Sequence, residues 1–361
     1  MKSYLRFLSR NKLYTAIEVV GLSVALAFVL IIGSYVWQEY SISRENPDYE
    51  RIYIPTQSMP YGIFESMKEQ IPEIEKITLV NSFDDVVMEC DDERLVTRGL
   101  AVRGDFFDIF DYEFLIGDAG CLESYTDIVI SESYAVKLAG KPEIAIGKRI
   151  VPIDYTSQAY TVTGVIKDFD HNYWKYMDFI CKGESPLNES AQKNAVFRLS
   201  ATAFIKVSDS ADVDALGGKI QNIFRQLWGE KLNAAMIDQF TVNLGIERFD
   251  KLYFSGEIID DYLNMGDRSQ IIILLIVSLL LLVSAVINYI NLNLALTNKR
   301  AKEMATRSLV GADKIHITVK YILESIGFTA VCSIAAAVIA VALAPYIGRI
   351  IDGQTITIPF N

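Results

Sequence analysis

The stretch from Ile271 to Pro345 constrains this chain more than any other: an apolar run, a short basic loop with a glycine turn, and a second apolar run. From Ile271 to Ile287 the sequence reads IIILLIVSLLLLVSAVI, and no charge follows until Lys299. As a helix, such a run is long enough to cross roughly 30 Å of hydrocarbon. The run from about Ile322 to Ile347 is richer in Ala and Gly and holds one acid, Glu324, near its start, so it reads as a second crossing. The loop between them carries Lys299, Arg300, Lys302, Arg307, Lys314 and Lys320 against Glu303 and Asp313. The excess of positive charge places that loop in the cytoplasm, where it is the part able to meet a cytoplasmic partner.

A further apolar run, AIEVVGLSVALAFVLIIGSYVWQEY, lies near the N-terminus behind Lys2, Arg6, Arg10 and Lys12. Its apolar part continues to Val36, no A-x-A cleavage pattern follows, and Tyr35, Trp37 and Tyr40 form an interfacial aromatic belt, so it reads as a retained anchor and not a signal peptide. For the basic start two readings stay open: a helix lying along the inner membrane surface, or a flank that orients the next helix. The chain is 51% hydrophobic with a net charge of −11, and the acids concentrate between the first two apolar runs. An acidic domain facing outward excludes a nucleic-acid partner, which needs clustered Lys and Arg.

The sequence thus predicts an α+β membrane protein: three transmembrane helices, with a large mixed α/β extracytoplasmic domain inserted between the first and second. The expected segments are a basic N-terminus (1–14), span one (15–40), the outer domain (41–268), span two (269–296), a cytoplasmic loop (297–320), span three (321–347) and an extracytoplasmic end (348–361). In the outer domain, strands are predicted at Arg51–Thr56, Ile74–Val80, Leu95–Val102, Asp127–Ile130, Tyr160–Ile166, Thr202–Val207 and Gln239–Gly245, each rich in β-branched or aromatic residues. Helices are predicted where Ile63, Phe64, Met67 and Ile71 share a face, where Ser131 or Ser133 caps a run ending at Gly140, and from Val213 to Trp228. Arg268 and Ser269 lead straight into the second span, so helix and domain are expected to be mechanically continuous, with Gly266 as the one weak point.

Catalytic chemistry is sparse. His171 and His316 are the only histidines, and on this topology they lie on opposite sides of the membrane, which leaves little for a His-based metal site or triad. No G-x-x-x-x-G-K-[ST] occurs, so the chain has no P-loop of its own and no cofactor is expected. Asp168, Asp170 and His171 read as turn chemistry at a strand end, and Asp84, Asp85, Asp91 and Asp92 as a solvated face and a hairpin turn. Cys90, Cys121, Cys181 and Cys332 lack CxxC spacing and read as free thiols. Within the spans, Asn288, Asn291 and Asn293 are expected to fasten helices together. Glu324 is expected at the inner boundary, paired with Lys320 one turn earlier or bonded to another helix.

Several phrases resemble one known family. Ser9 to Ala27, SRNKLYTAIEVVGLSVALA, is similar to the opening motif of MacB/FtsX-type ABC transporter permeases, in particular the large Bacteroidetes permeases with a MacB-like periplasmic core domain. AVRGDFFDIFDYEFLIGD (Ala101–Asp118), IVISESYAVKLAG, IGKRI and YTVTGVIKDF (within Ile128–Phe169) resemble the continuation of that core. NKRAKEMATRSLVGADKIHITVKYILES resembles the cytoplasmic signature, with Met304, Ala305 and Thr306 where Ile-Gly-Ile is common and Ser308 in place of a basic residue.

The resemblance implies a mechanotransmission permease in the bacterial inner membrane. A separate cytoplasmic ABC ATPase would bind the ATP, and two copies or two permease halves would pair; a periplasmic adaptor or outer-membrane channel is a further partner it allows. Lys302, Glu303, Met304, Arg307, Leu309, Gly311 and Ala312 would form the ATPase-coupling loop. The residues themselves, with Met304, Leu309 and Val310 on one apolar face and Lys302 and Arg307 supplying charge, read from Ala301 to Val310 as a short docking helix or as a basic loop held at the lipid headgroups. Family units have four spans and large members repeat the unit, so the chain is expected to be a truncated protein or a fragment of a longer permease. The competing classes are a membrane-anchored extracytoplasmic ligand sensor, which would need a cytoplasmic output domain, and an anchored periplasmic enzyme, which the histidine inventory disfavours.

Overall fold

The structure is a computed structural model that describes residues 12–42, 46–91, 93–153, 158–168, 174, 177–183, 200–230, 232, 234–241, 244–255, 262–309 and 314–351. The chain forms two compact units: Met1–Ser41 with Asp267–Asn361, and Ile42–Gly266. The first unit begins with helix α1 (Lys12–Ser41), whose 27 residues from Thr15 to Ser41 are apolar enough to cross a membrane.

In the second unit the chain order is β1 (Ile52–Pro55), β2 (Met59–Pro60), α2 (Phe64–Gln70), β3 (Ile74–Cys90), β4 (Glu93–Gly104), α3 (Phe106–Ile109), β5 (Phe114–Ile116), β6 (Asp127–Ser131), α4 (Glu132–Ala139), α5 (Pro142–Ala145) and β7 (Arg149–Pro152). It continues with β8 (Tyr160–Ile166), β9 (Phe179–Lys182), β10 (Ser200–Val207), α6 (Val213–Trp228), α7 (Ala234–Thr241), β11 (Ile246–Arg248) and α8 (Phe249–Leu252). The strands lie in the order β11-β1-β10-β3-β4-β9-β6-β8-β5, and β7 joins β3 to β8. The pairings β3–β4–β9–β6–β8–β7–β3 therefore close a ring at one end of an otherwise open sheet.

Strand β3 makes this possible. Its first half pairs with β10 and β4, and its end pairs with β7 through Met88↔Pro152 and Glu89↔Val151. Between the two halves the β3–β4 register shifts from Phe83 to Val86, and Asp85 sits at φ 53°. Such a bulge bends and twists a strand, and Asp tolerates the left-handed region better than most residues. Asp91, at φ 49°, turns the hairpin. Asp85 and Asp91 thus shape the backbone.

Alternation along the strands sorts side chains into separate cores. Ile128, Ile130, Val162, Phe179 and Cys181 pack with Tyr134 and Ala135 of α4 and with Ala145 of α5. Their neighbours Val129, Ile166 and Ile180 face the other way, into a core with Phe106, Phe110, Trp174, Phe204, Phe249 and Tyr262. The rings of Phe110, Phe204 and Tyr262 lie 5.0 to 5.8 Å from Trp174. A third core joins Ile63, Phe64, Met67 and Ile71 to Leu216, Ile220, Ile223, Phe224 and Trp228 of α6. Helix ends carry matching chemistry: Ser131 Oγ accepts from Tyr134 N at 3.3 Å, Gly140 ends α4 at φ 75°, and Asp212 Oδ1 accepts from Ala215 N at 3.2 Å.

The sequence misleads at two places here. Gln239–Gly245, predicted as a strand, is helical to Thr241. Thr241 Oγ1 donates back to Ile237 O at 2.9 Å, and Thr241 is buried beside Arg225 of α6, so tertiary packing overrides β propensity. The second concerns Gly266. It is not a weak point: its N–H donates to Tyr253 O at 2.8 Å, and a Cβ there would lie 2.4 Å from the Tyr253 ring. Only glycine fits so close an approach.

After Gly266 the first unit resumes. Helix α9 (Arg268–Leu309) is continuous over 42 residues, and α10 spans Lys314–Ile351. Asp267 opens α9, its Oδ1 accepting from Ser269 N at 2.7 Å and Gln270 N at 3.3 Å.

Candidate coupling site

The 24 residues Arg268–Asn291 are apolar enough to span a membrane. Residues 292–309 continue the same helix for about 27 Å at 1.5 Å per residue. Lys302, Glu303, Met304, Arg307 and Leu309 lie on its last turns, whereas Gly311 and Ala312 lie outside the described residues. The segment from Ala301 is therefore not a separate short helix: it is the end of a rod that begins at Arg268. No Pro or Gly interrupts 268–309, and Leu and Ile are its commonest residues, so nothing breaks the backbone ladder. On the other side, Lys314–Tyr321 forms the first two turns of α10 before the span Ile322–Gly348.

Both long helices pack against α1. On α10 the buried residues recur every fourth position: Glu324, Phe328, Cys332, Ala336, Ala340 and Ala344. After Phe328 they are small, which lets helix backbones approach in a medium that supplies no hydrophobic drive between helices. Phe328 and Cys332 form a cluster with Leu22 of α1, flanked by Val19, Leu26, Ala285 and Tyr289. On α9, Asn288 lies against α1, its Nδ2 3.6 Å from the position a Cβ on Gly21 would take. Asn288 and Asn291 are both exposed, and the side chain of Asn293 lies outside the described residues. Tyr289 Oη donates to Ser325 Oγ at 3.3 Å and its ring stacks on Phe328 at 6.2 Å, linking α9 to α10.

The sequence reading passed over Tyr289 and the buried Glu18 of α1. The small-residue recurrence from Cys332 was the available signal for the α10 face, and the lone charge within an apolar run was the signal for Glu18.

In the outer unit several titratable groups hold local structure. Asp168 Oδ1 accepts from Ser133 N at 2.9 Å, at the start of α4; Asp170 and His171 lie outside the described residues. Cys90 and Cys181 are buried free thiols, and Cys121 is a half-buried one. Burial pushes Cys181 up to about 12 and raises Cys90 as well, so neither offers a thiolate nucleophile near neutral pH. Among the described residues no group of three or more His, Cys, Asp and Glu could hold a metal ion.

The MacB-like periplasmic core domain model matches residues 15–223, and the FtsX-like permease C-terminal model matches 275–361. The chain belongs to the MacB-like periplasmic core domain family and is a MacB/FtsX-type ABC transporter permease. It is similar to a domain described as that of a permease protein from Porphyromonas gingivalis, at 21% identity and TM-score 0.46 over 57% of this chain and 93% of that one. It is also similar to the periplasmic region of MacB from Actinobacillus actinomycetemcomitans, at 14% identity and TM-score 0.37 over 56% and 98%. The extracellular domain of the noncanonical ABC-type transporter YknZ from Gram-positive bacteria matches at 13% and 0.36 over 48% and 85%. No curated protein matches. The family assignment rests on the two family models.

Proposed function

We propose that this permease converts ATP hydrolysis by a separate cytoplasmic ABC ATPase into movement of its outer domain, acting in export or extraction of a peptide, lipoprotein, drug or similar cargo. In this reading the protein lies in the bacterial inner membrane, residues 41–268 face the periplasm, and the loop 297–320 faces the cytoplasm. The chain itself binds no nucleotide and catalyses nothing. The observation that carries the reading is the continuity of α9. One uninterrupted helix of 42 residues runs from the edge of the outer domain to the basic cytoplasmic segment. A displacement at Leu309 is then passed along a hydrogen-bonded rod and is not absorbed in a loop. At the other end, the Gly266 N–H donates to Tyr253 O within the outer domain, and Asp267 caps the helix.

The docking end is tested by reversing its chemistry. Arg307→Glu with Leu309→Asp is expected to abolish ATPase recruitment or coupling while the chain still inserts in the membrane. Pull-down of the ATPase and ATP turnover in membranes are the readouts. Unchanged binding together with turnover still coupled to function would show that the loop is not the docking site.

A further inference from the structure

Two oppositely charged, partly apolar patches sit side by side on one rim of the outer domain. Asp127 at the start of β6 pairs with Thr161 of β8, which pairs with Arg149 of β7. Asp127 and Arg149 are therefore two strand spacings apart, about 10 Å. On the Asp127 side, Asp118 and Glu123 are exposed, and Tyr125 is exposed by 47%. Lys182 offsets part of this charge, donating to Glu123 O at 2.5 Å and lying 5.1 Å from the Tyr125 ring. Asp127 is half-buried, accepting from Ser124 N at 2.6 Å. On the Arg149 side, Lys137, Lys141 and Arg149 are exposed around Val136, Ile144 and Ile146, with the acids Glu143 and Asp91 also exposed. Ile144 alone is 57% exposed. Lys148 is engaged by Asp91.

From this juxtaposition we infer that the rim is a self-complementary surface for a second copy of this chain. A two-fold axis between the patches sets each acidic patch against the other copy's basic patch and buries Tyr125 against Ile144 and Ile146 twice, as an isologous interface requires. A partner of uniform charge, such as an anionic membrane or a wholly acidic protein, would be drawn to one half and repelled by the other. The inference rests on the reading that the permease works as a pair, and names the outer surface that makes the pair.

The test uses full-length chain in membranes, with Cys121→Ser and two differently tagged copies. One copy carries Tyr125→Cys, the other Ile144→Cys, so a short bismaleimide can join them only between chains. The expected result is a mixed cross-linked dimer. Lys141→Glu with Arg149→Glu in both copies should lower its yield by about tenfold, since like charges now face each other across the rim. The yield should return when the second copy instead carries Asp118→Lys with Glu123→Lys. Copies that co-purify without the cross-link, or a loss of yield with no recovery in the swapped pair, would overturn the surface while leaving the pairing intact. Copies that do not co-purify would overturn both, and would leave the Arg307/Leu309 docking test unaffected.

Discussion

The outer domain and the membrane helices are held together in opposite ways. Among the described residues the outer domain carries three buried cores of its own, with ion pairs such as Arg103–Glu65 and Lys76–Asp108 linking elements at its surface. In the spanning windows only 33% of α1, 11% of α9 and 22% of α10 is buried, and side chains such as Ile272, Ile276, Leu280 and Ile287 point away from the protein. In water that exposure would be costly; in lipid the side chains lose nothing by it. The difference separates two tasks. The domain must keep its shape, whereas α9 has few packed neighbours to hold it in place and is stiff only along its own axis. A stiff rod loosely packed at its sides is suited to passing on displacement.

The sharpest way to break this comparison is to soften the joint between the two parts. A stretch of Gly and Ser inserted between Gly266 and Asp267 keeps both anchors, the Gly266–Tyr253 bond and the Asp267 cap, and adds only slack. The variant is expected to fold, insert and bind its ATPase, yet to be inactive in the cell. Retained activity would remove the lever idea. Placed after Asp267 instead, the insertion would also cost the α9 cap, and the two effects would be confounded.

A second pair of changes measures the contrast in packing. Phe204 is fully buried, with Phe110, Trp174 and Phe249 rings 5.2 to 5.4 Å away, so Phe204→Ala should destabilise the outer domain by about 3–5 kcal/mol. Ile276 on α9 is 52% exposed, and Ile276→Ala should change helix packing by less than about 0.5 kcal/mol. Denaturation followed by tryptophan fluorescence reads the first effect. Loss of helical circular dichroism in an SDS titration reads the second. Comparable costs at the two sites would mean that α9 is held as firmly as a domain core.

Much of this was legible in the residues. The spans declare themselves by length and apolarity, and the Val213–Trp228 helix by its periodicity, because in each case one local pattern suffices. The ring closure was not legible. It depends on β7 reaching back to Met88 and Glu89 and on a bulge at Asp84 and Asp85, whose sequence reads equally well as a solvated turn. The β3 strand predicted to end at Val80 runs to Cys90, since the later residues find partners far along the chain. Strands β5, β7 and β9, of three or four residues each, are too short for alternation to register. At the basic end of α9 the sequence suggested a short helix from Ala301, whereas the helix there is the end of α9. The absence of any breaker between Arg268 and Leu309 was the better guide.

A small effect, and the one that depends on pH, is expected where the outer domain begins, at Asp48. Its carboxylate accepts from Lys206 and Arg51, and these two cations hold its pKa below the usual value, the Lys206 bond first. A group whose folded pKa is depressed adds stability above its unfolded pKa and loses it as pH falls through the folded value. The Asp48 contribution should therefore be complete at neutral pH, begin to fade near pH 4, and vanish once the folded carboxylate is protonated. Asp48 is 30% exposed and Lys206 14%, so solvent screening keeps the pair below about 1 kcal/mol. Lys206→Met removes the larger cause of the shift. Urea midpoints of wild type and variant should differ at pH 7 and converge as the pH is lowered past 4. A difference that persists at acid pH would mean that Lys206 acts through packing along β10 and not through its charge. In that case the outer domain would rely on its cores even here, and the contrast with the membrane helices would be sharper still.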